Sequence, residues 1–159
     1  MSARITGKYF EELVPGDVYE HATTRTVTET DNLLFSALTH NTQPLHLDEE
    51  FSKKSIYGTR LVNSCFTLGL ITGMSVNDLT FGTTLGNLGY DEIAFTNPVL
   101  IGDTLSGETR IICKRESKSR PDAGIVKFEH LGHNQRGEVV CKIVRTGLMM
   151  KRPVPAATA

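Results

Sequence analysis

The sequence predicts a single α+β domain in which a five-stranded antiparallel sheet wraps around a long central helix. Residues 61–74 would place apolar side chains on most sides of a helix, which is typical of a helix surrounded by protein. One strand-like segment precedes this helix and four follow it. A chain of 159 residues with 39% hydrophobic content is long enough to bury such a core.

The elements before the central helix are short. Many β-branched residues at 18–27 predict the first strand, and residues 28–31 offer N-caps for a helix with an apolar stripe. That stripe consists of Leu33, Leu34, Ala37 and Leu38. Residues 39–46 form a polar loop, after which Asp48 is a natural cap for a short helix to residue 54.

The second half of the chain reads as four strands, with a tight hairpin at Gln135-Arg136-Gly137. Their expected limits are 85–95, 103–116, 124–134 and 138–150. Within the central helix, Gly69 and Gly73 would let another backbone approach closely, which suits a helix wrapped by a sheet. The domain is expected to cover 1–159, with 1–8 and 153–159 flexible.

Composition excludes several classes of function. A net charge of −1 and a pI near 6.5 argue against nucleic acid or a membrane surface as a partner. The first residues lack the apolar core of a signal peptide, so the protein is expected in the cytoplasm. Three scattered cysteines (Cys65, Cys113 and Cys141) are interpreted as buried free thiols that form neither a disulfide framework nor a metal site.

The polar loop is the candidate site. Its sequence is Thr39-His40-Asn41-Thr42-Gln43-Pro44-Leu45-His46-Leu47-Asp48, directly before the most apolar helical pattern of the chain. Imidazole, amide and proline side chains make an improbable spacer between two buried elements. By itself His46 would be read as a structural histidine, but Pro44 two residues earlier and the polar loop ahead of the helix favour a catalytic base. An imidazole with an ordinary pKa near ~6.5 can accept and return a proton at neutral pH.

This loop resembles that of the MaoC-like, or hydratase-2 type, dehydratases of the hot-dog fold. The family's loop reads approximately Ser/Thr-Gly-Asp-x-Asn-Pro-Leu/Ile-His-x-Asp. The resemblance continues through residues 58–64 and 97–103 to Arg145-Thr146, and residues 114–124 look like a sub-branch associated with mesaconyl-CoA or itaconyl-CoA hydratases. It implies reversible hydration of an enoyl-CoA by a homodimer or higher homo-oligomer whose sites lie near the subunit interface.

The departures from the family loop decide the residue roles that the resemblance implies. Asn41 stands where the family has its catalytic Asp, so it can position water but cannot act as a base. Ser64 replaces a Gly whose backbone N–H serves the oxyanion hole, a role that its own N–H can also fill at a helix start. His40 replaces another Gly, and is either a second imidazole of the site or a solvent-facing side chain. His46 is retained.

Four basic residues cluster at one predicted hairpin, and are either a solvated loop or a site for coenzyme A phosphates. They are Lys114, Arg115, Lys118 and Arg120. Asp48 is expected to cap a helix rather than act as a catalytic carboxylate.

Two other functions compete with hydration. Because Asn41 replaces the catalytic Asp, the chain could be an acyl-CoA binding or regulatory module. A hot-dog thioesterase would need a carboxylate on the central helix, but residues 61–74 contain no Asp or Glu. No metal or redox cofactor is expected, since coenzyme A is part of the substrate.

Overall fold

In the computed structural model, an antiparallel sheet curls around one helix, as the sequence predicts. The structure describes residues 6–153. The helices within this range are α1 (Glu29–Leu38), α2 (Pro44–Leu47), α3 (Glu49–Ser52) and α4 (Ser64–Met74). The strands are β1 (Val18–Glu20), β2 (Arg25–Thr26), β3 (Thr84–Ala94), β4 (Thr104–Glu116), β5 (Ala123–His133) and β6 (Val139–Met150). A 3-10 turn (Phe10–Glu12) and a π-helical turn (Val76–Thr80) complete the regular structure there.

The sheet has six strands rather than five. Its order is β1-β4-β5-β6-β3, with β2 also paired to β4, and neighbouring strands are antiparallel. The extra strand arises because the predicted first strand, 18–27, breaks at His21, which turns inward and is only 7% exposed. The four later strands begin and end within one residue of their predicted limits.

The central helix is shorter and less enclosed than predicted. It begins at Ser64 because Asn63 caps it, its Oδ1 accepting from the Cys65 N–H at 3.0 Å. Leu61 instead forms a β-bridge with Leu100. Helix α4 buries Thr67, Ile71 and Met74 but exposes the face that carries Ser64, Cys65, Gly69 and Gly73. The expectation of a helix buried on most sides is therefore wrong for this chain alone.

The glycines that allow close packing lie in the sheet. A Cβ on Gly69 or Gly73 would meet no atom within 4 Å, so these residues do not contact the sheet. A Cβ on Gly132 of β5 would come within 2.6 Å of Ile71, and this position therefore needs a glycine for the helix to seat.

The cysteines also differ from expectation. Cys141 is buried, and burial raises the pKa of its thiol to about 11. Cys65 and Cys113 are exposed, so the prediction of buried thiols is wrong for both.

Part of the N-terminal segment predicted to be flexible is held in place. The backbone N–H groups of Gly7 and Lys8 donate to the carbonyls of Phe81 and Leu79, each at 2.9 Å. Residues 1–5 of that segment and residues 154–159 lie outside the described range. Among the residues described, no helix is both long and apolar enough to span a membrane.

A chain of hydrogen bonds, buried except at its last carboxylate, crosses the inner face of the sheet. Arg145 Nε donates to His130 Nε2 at 2.8 Å, so the neutral imidazole carries its proton on Nδ1, which donates to Thr109 Oγ1 at 2.7 Å. Thr109 can then donate to His21 Nε2 at 2.7 Å, and His21 Nδ1 donates to Asp78 Oδ2 at 2.9 Å. Every donor points the same way, from the Arg145 cation to the Asp78 carboxylate.

Burial, together with the charge of Arg145 and the neighbouring His21, lowers the pKa of His130 to about 3 from its ordinary 6.5. Between pH 6.5 and pH 3, His130 is therefore protonated in the unfolded chain and neutral in the folded chain. The stabilisation from neutral His130 is complete above pH 6.5 and is lost progressively as the pH falls towards 3.

We expect the unfolding free energy of the protein to fall as the pH is lowered from 6.5 to 4. His130→Gln should make this fall less steep, by the amount that corresponds to about one proton taken up on unfolding. Glutamine keeps an acceptor for Arg145 and a donor for Thr109 but does not titrate. Urea titrations at several pH values measure the slope, and His133→Gln on the same strand serves as the control. Parallel curves for wild type and His130→Gln would contradict this account.

Candidate active site

The imidazole of His46 is held in one tautomer. His46 lies in α2, which begins with Pro44, and its Nδ1 is 3.0 Å from the carbonyl oxygen of Leu61. A carbonyl can only accept, so Nδ1 carries the hydrogen and Nε2 of the neutral ring is left as the proton acceptor. The half-buried ring therefore presents a base at Nε2.

Asn41 is fixed by a local turn. Its Oδ1 accepts from the Gln43 N–H at 3.1 Å, and its own N–H donates to the Ser36 carbonyl at 2.9 Å. Because Oδ1 faces a donor, Nδ2 is the outward end of the amide, and it has no partner among residues 6–153. This nitrogen can donate to a water molecule.

His40 has a backbone role that the sequence did not reveal. It is exposed, follows the end of α1, and has φ of 55°, a left-handed conformation that favours glycine. Its ring forms no hydrogen bond with any residue in the described range. The glycine that the family loop carries at this position suits the same conformation, whereas a catalytic role for His40 stays a prediction.

Ser64 lines a cavity. It is the first residue of α4, and its N–H has no acceptor within residues 6–153. The cavity holds about 190 Å³ and is lined by residues that include Leu61, Ser64, Thr67, Phe95, Asn97 and Val140. His46 and Asn41 do not line it; His46 contacts its wall through the Leu61 carbonyl.

Asp48 is a helix cap, as predicted, because its Oδ1 accepts from the Phe51 N–H at 2.9 Å at the start of α3. Nearby, Arg60 joins the starts of α1 and α3. Its guanidinium donates to Glu29 at 2.9 Å and to Glu49 at 2.8 Å, and these hydrogen bonds raise the pKa of Arg60. Arg60 thus ties the short helix that follows the candidate loop to the start of α1.

The basic cluster lies away from this site. Lys114 Nζ donates to the backbone carbonyls of Phe10 and Glu11, and Arg120 forms a bidentate pair with Asp122. Lys118 is exposed, and Arg115 donates to the carbonyl of Glu116. This hairpin joins β4 to β5 at one end of the sheet, whereas Val140, which lines the cavity, lies near the other end. About ten residues of strand separate the two ends, which corresponds to about 30 Å. Within one chain, the structure does not bring these side chains to His46.

Two residues near the site, Asn32 and Ser36, were not predicted from the sequence, because α1 turns its polar side inward. Asn32 and Ser36 are 0% and 1% exposed, whereas Leu34 and Leu38 of the predicted apolar stripe are 56% and 73% exposed. The spacing of four residues between an Asn and a Ser was the only available signal.

The fold and site together define the class of the chain. A MaoC like domain matches residues 11–134, more than half of the sequence, and the chain belongs to this family. The fold is confirmed as hot-dog by a conserved hypothetical protein from Mycobacterium tuberculosis with a double hotdog fold. That structure superposes with a TM-score of 0.85 on 98% of this chain and 48% of its own length, at 20% identity.

Other proteins are identical to this chain at about a third of the aligned positions. A mesaconyl-CoA hydratase from Cereibacter sphaeroides is 33% identical over 96% of this chain and 45% of its own length. A monoamine oxidase regulatory protein from Archaeoglobus fulgius is 31% identical, with a TM-score of 0.83, over 94% of this chain and 100% of its own. The chain thus spans less than half the length of the curated mesaconyl-CoA hydratases that it matches.

Proposed function

We propose that the chain catalyses the reversible hydration of a trans-2-enoyl-CoA to a 3-hydroxyacyl-CoA. The observation that carries the proposal is the hydrogen bond from His46 Nδ1 to the Leu61 carbonyl, which leaves Nε2 as a base. Membership of the MaoC-like family and the likeness to a mesaconyl-CoA hydratase support it.

In the proposed reaction, Asn41 Nδ2 donates to a water molecule while His46 Nε2 removes one of its protons. The water oxygen forms a bond to C3, and the C2–C3 π electrons move toward the thioester carbonyl, whose oxygen becomes an enolate. The Ser64 N–H stabilises this oxygen, and the positive end of α4 adds to the effect. His46 then returns the proton to C2. Only protons are transferred by the protein, so the route requires no metal or redox cofactor.

The proposed acyl group is short and branched or carboxylated, such as mesaconyl-CoA or itaconyl-CoA. The cavity beside Ser64, at about 190 Å³, is smaller than the roughly 300–1,000 Å³ typical of sites for drug-sized ligands. A short acyl group suits this space.

A homodimer is the proposed assembly. Strand β3 lies at the edge of the sheet, and its apolar side chains are 40–53% exposed at Leu85, Leu88, Tyr90 and Ile93. An edge strand of eleven residues with exposed apolar side chains favours pairing with another chain. The open face of α4 would be covered on the same side of the sheet.

Such a dimer would also give the basic cluster a role. The Thr84 end of β3 pairs with Met149, near the basic hairpin, and its Ala94 end leads to Phe95 of the cavity. Antiparallel pairing of two β3 strands about a two-fold axis would place one chain's basic hairpin toward its partner's cavity. The coenzyme A phosphates would then meet cations from the other subunit.

Light scattering on the purified chain tests the assembly. We expect a mass twice that of the 17.5 kDa chain, and Leu88→Lys on the β3 edge should reduce it to one chain. A wild-type chain that remains monomeric at assay concentration would contradict the dimer and the shared phosphate site.

Replacing Asn41 tests the proposed chemistry. Wild type and variants would be assayed with a panel of enoyl-CoA thioesters, scoring double-bond loss and free thiol separately. Asn41→Ala should lower hydration about 10- to 100-fold, because the water loses its donor. Wild-type turnover should rise with pH, because His46 must be neutral to take the proton from water. Asn41→Asp should retain or raise the turnover, but the rise should occur at higher pH because the carboxylate favours the protonated imidazole.

The outcomes separate the competing functions. Equal turnover in wild type and Asn41→Ala would remove Asn41 from the site. A wild type that binds acyl-CoA without turnover, and gains it in Asn41→Asp, would identify a binding module. Release of thiol without loss of the double bond would identify a thioesterase.

A further inference from the structure

Asn32 connects three segments of the site without lining its cavity. Its side chain is fully buried in α1, and both functional ends of the amide are used. Nδ2 donates to the carbonyl of His46 at 3.0 Å and to the carbonyl of Leu61 at 3.2 Å. Oδ1 accepts from the Asn63 N–H at 2.8 Å.

Two of these contacts bear on the base. The Leu61 oxygen that receives Asn32 Nδ2 is the same oxygen that receives His46 Nδ1. Asn32 therefore fixes the acceptor that determines the tautomer of His46, and its bond to the His46 carbonyl fixes the backbone from which the ring projects.

The third contact bears on the oxyanion donor. Asn63 is the N-cap of α4, so the bond from its N–H to Asn32 fixes the backbone immediately before Ser64. One turn along α1, Ser36 Oγ accepts from Asn63 Nδ2 at 3.3 Å and supports the same cap. Helix α1 thus holds the proposed base and the proposed oxyanion donor in one frame.

Few other side chains can make this set of contacts. Aspartate would keep an acceptor for Asn63 but lose both donors and place a negative charge against two carbonyl oxygens. Alanine would leave all three backbone groups without their partner. A purely structural buried amide would serve one segment, as Asn134 does within the β5–β6 hairpin, where its partners are Arg136 and Glu138.

We propose that Asn32 is a positioning residue that aligns His46 with the Ser64 N–H for hydration. The inference rests on the proposed function, because it assigns these two groups to one reaction. Asn32 also affects His46 independently of activity, because without Asn32 the ring is no longer restricted to the Nδ1–H tautomer.

The experiment compares Asn32→Ala and Asn32→Asp with the matched controls Asn134→Ala and Asn134→Asp, all checked for folding by thermal unfolding. Asn134 is also buried, at 3% exposure, but its side chain hydrogen-bonds within its own hairpin and not to His46 or α4. In the Asn32 variants we expect kcat to fall about 10- to 100-fold with KM changed less than about threefold, since alignment rather than binding is lost. The controls should lose stability but keep kcat.

Nitrogen NMR on protein with labelled histidines measures the tautomer of His46 independently of activity. The His46 signals are assigned by their loss in His46→Gln. Wild type should show protonation at Nδ1 alone, and the Asn32 variants a mixture of Nδ1–H and Nε2–H rings. Asn32→Asp keeps the test available if Asn32→Ala does not fold. An unchanged tautomer, or a kcat loss no greater than in the controls, would overturn the proposal. If wild type shows no hydration, the proposed function fails, and the NMR reading alone decides the role of Asn32.

Discussion

The carbonyl oxygen of Leu61 is the acceptor on which the candidate site depends. It receives His46 Nδ1 at 3.0 Å and Asn32 Nδ2 at 3.2 Å, while the Leu61 N–H donates to Leu45 at 3.1 Å. A neutral imidazole free in solution can carry its proton on either nitrogen. Here one backbone group selects the tautomer, so the identity of the base follows from the path of the chain before α4.

That backbone group is held in place by the fold around it. The β-bridge between Leu61 and Leu100 and the bond from the Val62 N–H to the Val99 carbonyl join this segment to the turn before β4. Arg60, one residue earlier, adds ion pairs to the starts of α1 and α3. The loop with His46 is therefore supported by ordered elements on several sides, which is what precise proton transfer requires.

Several apolar surfaces are left open within residues 6–153. They are the exposed leucines of α1, the face of α4 with Gly69 and Gly73, and the edge strand β3, none of which is covered by other parts of the described range. Patches of this kind mark interaction surfaces in soluble proteins. They agree with the proposed dimer.

Strand positions could be predicted closely because alternation is a local property. Val126, Phe128 and His130 face the core while Lys127 and Glu129 face outward, and the strand limits agree within one residue. The inward face of α1 could not be predicted in the same way. Its polar residues are buried because carbonyls and an N–H from distant segments need partners there, and periodicity alone does not show those groups.

The loop motif located His46 and Asn41, since both belong to a short contiguous sequence. It could not show that Leu61 selects the tautomer, that Asn32 supports it, or that the basic hairpin lies at the far end of the sheet. The hydrogen-bond chain from Arg145 to Asp78 likewise joins residues far apart in sequence. These features depend on contacts between distant segments of the chain and not on local pattern.

The most direct test of the account is hydration of an enoyl-CoA by His46→Ala, compared with wild type and with His133→Ala on the outer face of β5. Loss of the Nε2 base should reduce turnover about 10²- to 10⁴-fold while acyl-CoA binding is largely kept, and His133→Ala should behave as wild type. Turnover near the wild-type rate in His46→Ala would contradict the central claim that this imidazole is the base.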